Sequence, residues 1–157
     1  MRIALGIEYD GSRFVGWQTQ PGGDAVQDAV ERALGTIAGG EIKVTCAGRT
    51  DSGVHALGQV VRVDAPVERP DSAWVRGANA MLPDSVAILW ARPVPQDFHA
   101  RYSATARRYR YLLLDRPVRP ALGAGRLGWF HQRLAVDAMR EAARLVVGEH
   151  DFGAFRA

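Results

Sequence analysis

The sequence of 157 residues is long enough to bury a core, and 47% hydrophobic content with scattered charges excludes a disordered chain. A single cysteine excludes a disulfide framework and a cysteine zinc cluster and fits a reducing cytoplasm, while four dispersed histidines form no recognisable metal motif. The net charge of +3 conceals a basic second part, with seven arginines and one aspartate between Arg101 and Arg126. No stretch has the length of a signal peptide or a membrane span, so no membrane partner is expected.

Hydrophobic periodicity predicts six elements in the first part of the chain: strands at 2–9, 42–47, 57–64 and 86–94, a helix from Asp24 to the Gly39-Gly40 pair and a helix from Asp71 to Leu82. Asp24 and Gln27 have the spacing of a capping box. The order β-α-β-β-α-β is that of a ferredoxin-like α+β fold, an antiparallel sheet with helices on one face.

After residue 96 the pattern begins again and does not finish. A strand is predicted over Ala106–Leu114, followed by a helix from Val136 that closes at Gly148. We therefore predict two units: a ferredoxin-like unit at 1–96, which carries a loop with Asp51, and the start of a second, similar α+β unit at 97–157, which is incomplete.

The most informative motif occupies residues 47–56 and reads AGRTDSGVHA, between two predicted strands. Catalytic side chains are often presented at such connections of a rigid scaffold. Arg49 would favour the charged form of Asp51 if the two side chains converge, and such a carboxylate suits nucleophilic or electrostatic work. The same residues also form ordinary turns in which Asp accepts hydrogen bonds from backbone amides, so the motif alone leaves both interpretations open.

A second motif, at residues 97–111, interleaves basic and aromatic residues as DFHARYSATARRYRY. Alternation in a strand predicts two faces, with Arg108 and Arg110 on one and Arg107, Tyr109 and Tyr111 on the other. An aromatic ring beside arginines stacks unpaired bases while the guanidiniums bind phosphates. A sheet edge with core tyrosines and a solvated basic face would show the same pattern.

Both motifs resemble signatures of the tRNA pseudouridine synthase A family. In that family Gly-Arg-Thr-Asp is followed by Ala or Ser and then Gly-Val-His, and the second segment reads closely as Phe-His-Ala-Arg-aromatic-Ser-Ala-Thr-Ala-Arg-Arg-Tyr-Arg-Tyr. Weaker similarity at 9–18, 77–83 and 148–152 extends the resemblance along the chain. It implies a pseudouridine synthase fold and a cofactor-independent isomerase that converts uridine to pseudouridine in tRNA, at positions 38, 39 and 40 of the anticodon arm.

The resemblance also implies roles for individual residues. Asp51 would be the nucleophile that breaks the uridine N-glycosidic bond, and Arg49 would help to displace the target nucleotide from its stack or hold Asp51 ionised. Tyr109 would stack on the flipped uracil, and His55 is expected to orient the turn. The site residues implied are Asp51 and Arg49 for catalysis, Tyr109, Arg107, Arg108, Arg110 and His55 for substrate binding, and none for a metal.

Members of the family act as homodimers with the RNA spanning both subunits. A basic residue in a later motif of the family pairs with the catalytic carboxylate, and this sequence ends before that motif. We therefore expect a truncated form and predict the reaction for the intact, cytoplasmic protein.

Two alternatives come from the same residues. The Asp51-Ser52-Gly53 turn is similar to the turn of aspartic proteases, which need two carboxylates sharing a proton and therefore a second copy of the motif. The basic segment would also serve a non-catalytic RNA-binding module, in which Asp51 has no chemical role.

Overall fold

The structure, a computed structural model, describes residues 1–155. Its elements fall into two compact units, Met1–Tyr109 and a second unit that begins at Arg110. Residues 97–109, which sequence periodicity assigned to the second unit, group with the first.

The first unit contains one helix and four strands: β1 (Arg2–Tyr9), α1 (Val26–Ala38), β2 (Val44–Cys46), β3 (Ala56–Asp64) and β4 (Val86–Pro93). A π-helical segment at Ala73–Gly77 lies where the second helix was predicted. The strands are ordered β2-β3-β1-β4, and every neighbouring pair is antiparallel. This order confirms the predicted ferredoxin-like arrangement, in which each helix connects two strands that lie on either side of a third.

The core lies on one face of this sheet, where alternate residues of the strands pack against both helical segments. The fully buried large side chains are Ile3, Leu5, Ile7, Trp17, Val26, Val30, Leu34, Val61, Val63, Trp74 and Ile88. Burial of each such side chain contributes about 1.5–3 kcal/mol, so this face holds the sheet rigid beneath its connecting loops.

The N-cap of helix α1 lies one residue later than the Asp24 that the sequence predicts. This N-cap is Ala25, and the carboxylate of Asp28 accepts a hydrogen bond from Ala25 N at 3.1 Å. The predicted capping box of Asp24 and Gln27 is therefore wrong, because Gln27 is buried inside the unit. The predicted end is correct: Gly39 adopts a left-handed conformation with φ of 75°.

The second unit contains β5 (Leu113–Asp115), β6 (Gly128–Phe130) and α2 (Val136–Arg144). β5 and β6 form a parallel pair. The strand predicted over 106–114 is wrong for most of its length, because residues 104–112 pair with no neighbouring strand in the part of the chain that the structure describes. No helix within residues 1–155 is long and apolar enough to cross a membrane.

Candidate active site

The loop between β2 and β3 carries Asp51. Its first residues continue the line of β2, since Ala47 N donates to Val60 O at 2.8 Å. Beyond that bond the loop alternates: Gly48 and Thr50 are half-buried, and Arg49 and Asp51 are exposed. The backbone therefore turns its two charged side chains to solvent and its two small residues toward the protein.

The second half of the loop rests on the segment that follows β1. Trp17 N donates to Thr50 O at 2.9 Å, and Gly53 N donates to Phe14 O at 3.4 Å. Gly16 has a φ of +111°, and a Cβ added to it would lie 2.8 Å from Thr50 O. Only glycine allows the two backbones to approach this closely. The loop is thus fixed by backbone contacts and not by its own turn alone.

Two buried polar side chains hold the first half of the loop from below. The Tyr9 hydroxyl lies 2.7 Å from Thr50 Oγ1. Burial raises the pKa of Tyr9, and hydrogen bonds with Thr50 and Gln59 oppose that rise. Gln59 donates from Nε2 to Gly48 O at 2.5 Å and accepts from Gly48 N at 3.4 Å. The sequence patterns indicate neither residue as part of the site, because each lies in a predicted strand and its loop partner is distant in sequence.

Arg107 and Tyr109 lie against the same loop. Arg107 donates from Nε and Nη2 to Ala47 O at 3.1 and 2.6 Å, and from Nη2 to Arg101 O at 3.2 Å. A Cβ added to Gly48 would lie 3.9 Å from the Tyr109 hydroxyl. Tyr109 is nevertheless 75% exposed, so its ring is open to a ligand. Arg107, by contrast, has its guanidinium committed to backbone carbonyls.

In the described part of the chain, Arg49 and Arg108 form no hydrogen bond or ion pair with Asp51. Arg49 instead acts on half-buried Cys46, where burial raises the pKa of the thiol and the positive charge of Arg49 opposes the rise. Arg108 is exposed and makes no hydrogen bond or ion pair among the described residues, and Arg110 belongs to the second unit.

His55 lies at the far end of the loop and ties it to the end of β1. Its Nδ1 is 3.1 Å from both Gly11 N and Asp10 Oδ1. Nδ1 accepts from the Gly11 amide when it carries no proton, and it donates to Asp10 when it carries one. The imidazole thus has partners that its sequence neighbours did not reveal, and these contacts fit a role in orienting the turn.

An exposed carboxylate on a fixed loop, with an exposed arginine in the same loop and an exposed tyrosine beside Gly48, is suited to attack a bound substrate. Among residues 1–155 no three side chains of His, Cys, Asp or Glu gather in a group that could hold a metal ion. The arrangement offers a carboxylate as a nucleophile and an aromatic ring for stacking.

Comparison with known proteins places this fold and loop in one class. The family model described as tRNA pseudouridine synthase matches residues 6–103, which include the end of β1, the strands β2 to β4 and the Asp51 loop. The chain belongs to this family, and membership removes the support for the aspartic-protease alternative.

Proteins called tRNA pseudouridine synthase A are similar over the whole chain: that of Dechloromonas aromatica is 63% identical over 157 residues, and that of Chromobacterium violaceum is 61% identical over 158. The chain spans 60% of the length of each of these two relatives.

Proposed function

We propose that the whole protein isomerises uridine to pseudouridine in tRNA, with Asp51 as the nucleophile. The observation that carries this proposal is the exposed Asp51 carboxylate on a loop fixed from both sides, within the segment that the family model matches. A rigid scaffold that presents one reactive side chain to solvent is what attack on a large substrate requires.

The reaction balances without an added reagent. The C1′–N1 glycosidic bond of uridine breaks, the released uracil rotates, and a C1′–C5 bond forms; the proton lost from C5 is matched by the one gained at N1. The bond that the Asp51 carboxylate forms as the nucleophile breaks again before pseudouridine is released, so the carboxylate is regenerated. The uridine must first leave its stack, which costs a few kcal/mol. Arg49 offsets part of that cost by occupying the vacated space, and the exposed ring of Tyr109 stacks on the extruded base.

The substrate region and assembly are proposed from the family resemblance. The target uridines are those at positions 38, 39 and 40 of the anticodon arm, and the intact protein acts as a cytoplasmic homodimer. The arginines of the basic segment support this proposal, because unpaired guanidiniums such as that of Arg108 are available for phosphates. By the same resemblance, Arg110 and His55 would also contribute to tRNA binding.

The decisive test compares Asp51→Asn with Asp84→Asn in the full-length protein, because Asp84 is another exposed aspartate in a loop of the same unit. Substrate tRNA carries tritium at C5 of uridine, so isomerisation releases tritium to water. We expect Asp51→Asn to abolish tritium release while tRNA binding is retained, and Asp84→Asn to leave both unchanged.

The outcomes separate the enzyme from the binding module. Tritium release by Asp51→Asn at the wild-type rate would refute the nucleophile assignment. A wild-type protein that binds tRNA and releases no tritium would favour the non-catalytic module. Transcripts with cytidine at positions 38, 39 and 40, replaced one at a time, test the region: release should fall with each replacement that removes a target.

A further inference from the structure

The side chain of Gln59 brackets the backbone of Gly48 with both ends of its amide, as donor to Gly48 O and acceptor from Gly48 N. Gln59 is only 8% exposed. Burying a primary amide is unfavourable unless its polar atoms are hydrogen-bonded, so these two bonds decide whether the side chain is tolerated there. They extend the pairing of β2 and β3 beyond the last backbone bond, from Ala47 to Val60.

Tyr9 continues this support by one step along the loop. Its hydroxyl is bonded to Thr50 and also interacts with Gln59, and the side chain is 3% exposed. Gly48 and Thr50 are thus both anchored to the sheet. The residues that alternate with them, Arg49 and Asp51, are the exposed ones. Holding every second residue fixes the direction in which the intervening side chains leave the backbone.

We infer that Gln59, assisted by Tyr9, is a positioning residue that fixes the Gly48–Asp51 backbone and thereby the Asp51 carboxylate. This inference rests on the proposed function, because it concerns the residue proposed there as the nucleophile. Neither side chain reaches the solvent-exposed surface where the substrate would bind, so both act through the loop. Misplacing a reactive group by about 1 Å costs on the order of a hundredfold in rate.

A matched control exists in the same unit. Asn79 brackets Ile88 in the same manner, donating from Nδ2 to Ile88 O at 2.9 Å and accepting from Ile88 N at 2.8 Å. Gln59→Met and Asn79→Leu each remove an amide–backbone bracket and keep the length of the side chain. Only the first bracket holds the Asp51 loop. Comparing the two variants therefore separates the general effect of losing such a pair of hydrogen bonds from the specific effect of losing the pair at Gly48.

The test measures tritium release and loop protection in the full-length protein at a temperature where each variant is folded. We expect Gln59→Met to lower kcat about 10- to 100-fold with KM nearly unchanged, and Asn79→Leu to change neither. Amide exchange at Gly48, whose amide bonds to Gln59, and at Trp17, whose amide bonds to Thr50 O, should accelerate in Gln59→Met alone. Equal kcat values and equal protection in the two variants would overturn the inference.

A second variant keeps the inference testable if Gln59→Met does not fold. Tyr9→Phe retains the buried ring and removes only the hydroxyl that holds Thr50. We expect its kcat to fall about threefold to tenfold, which is less than in Gln59→Met because only one hydrogen bond to the loop is removed, again with KM nearly unchanged. An unchanged kcat would contradict the inference. Absence of tritium release in the wild-type protein is a different result, which refutes the proposed function itself.

Discussion

Replacing Gly16 with alanine should destabilise the protein and displace the loop that carries Asp51. Gly16 is buried, has a φ of +111°, and lies beneath the loop backbone. A new methyl group would lie 2.8 Å from Thr50 O and 3.2 Å from the carbonyl carbon of Asp51. Both neighbours are backbone atoms, so the clash is relieved only if the loop or the segment around Gly16 moves.

The size of the effect follows from two contributions. A residue with a side chain at this φ costs about 1–3 kcal/mol. Displacing the loop also weakens the bond from Trp17 N to Thr50 O, which contributes about 0.5–1.5 kcal/mol. We therefore expect Gly16→Ala to lower the free energy of unfolding by about 2–4 kcal/mol, which is a large fraction of the stability of a small domain.

Two other glycines separate these contributions. Gly23 has a φ of +76° with nothing within 4 Å of an added Cβ, and Gly40 has open space and no such φ. Gly23→Ala should cost about 1–2 kcal/mol from backbone strain, and Gly40→Ala should be neutral or slightly stabilising. Urea unfolding gives the free energies, and tritium release should fall only in Gly16→Ala. A Gly16→Ala variant no less stable than Gly23→Ala, with full activity, would refute the reasoning.

Two further predictions concern arginines. Arg107→Met should lower the free energy of unfolding by about 1 kcal/mol, because the guanidinium bonds to Ala47 O. Arg108→Gln should leave the free energy of unfolding unchanged, and it should lower the slope of log affinity for tRNA against log salt by about 1. Unfolding titrations measure the stability of each variant, and tRNA binding at several salt concentrations measures the slope. A stability loss in Arg108→Gln and none in Arg107→Met would contradict the contacts described. Arg2 holds the pKa of Asp64 below its ordinary 3.8, so this stabilisation is fully present above about pH 4 and disappears as the pH falls through the lower folded-state pKa. Asp64→Asn should reduce the loss of unfolding free energy at acid pH by less than about 1 kcal/mol, because the Asp64 side chain is half exposed. An unchanged pH dependence of stability would show that the Arg2–Asp64 pair contributes nothing.

The strands and the first helix of the first unit could be predicted because their side chains repeat with clear periods. Ile3, Leu5 and Ile7 alternate as a half-buried strand requires, and all three are fully buried. The glycine pair after α1 marks its end through a left-handed conformation that other residues rarely adopt. Local patterns of this kind carry their own structural signal.

The strand predicted at 106–114 failed because alternation describes side chains, whereas a strand also needs a neighbour for its backbone groups. Arg107 shows what happens instead: its side chain bonds to the backbone of the Asp51 loop. Within the candidate site, the sequence motifs predicted Asp51 and Tyr109, and both assignments stay predictions. It could not identify Gln59 or Tyr9, because their partners are distant in sequence and only the folded sheet brings them together.

The reactivity of Cys46 can be used to measure how often this loop opens. It is the only cysteine of the sequence and the last residue of β2, immediately before the residue that Arg107 and the β3 backbone hold. Alkylating reagents react with thiolate, so a half-buried thiol with a raised pKa reacts slowly while this corner stays closed. Mass spectrometry on the wild-type protein would measure the rate of alkylation at Cys46. That rate would report how fast this part of the loop opens, and no residue would have to be substituted.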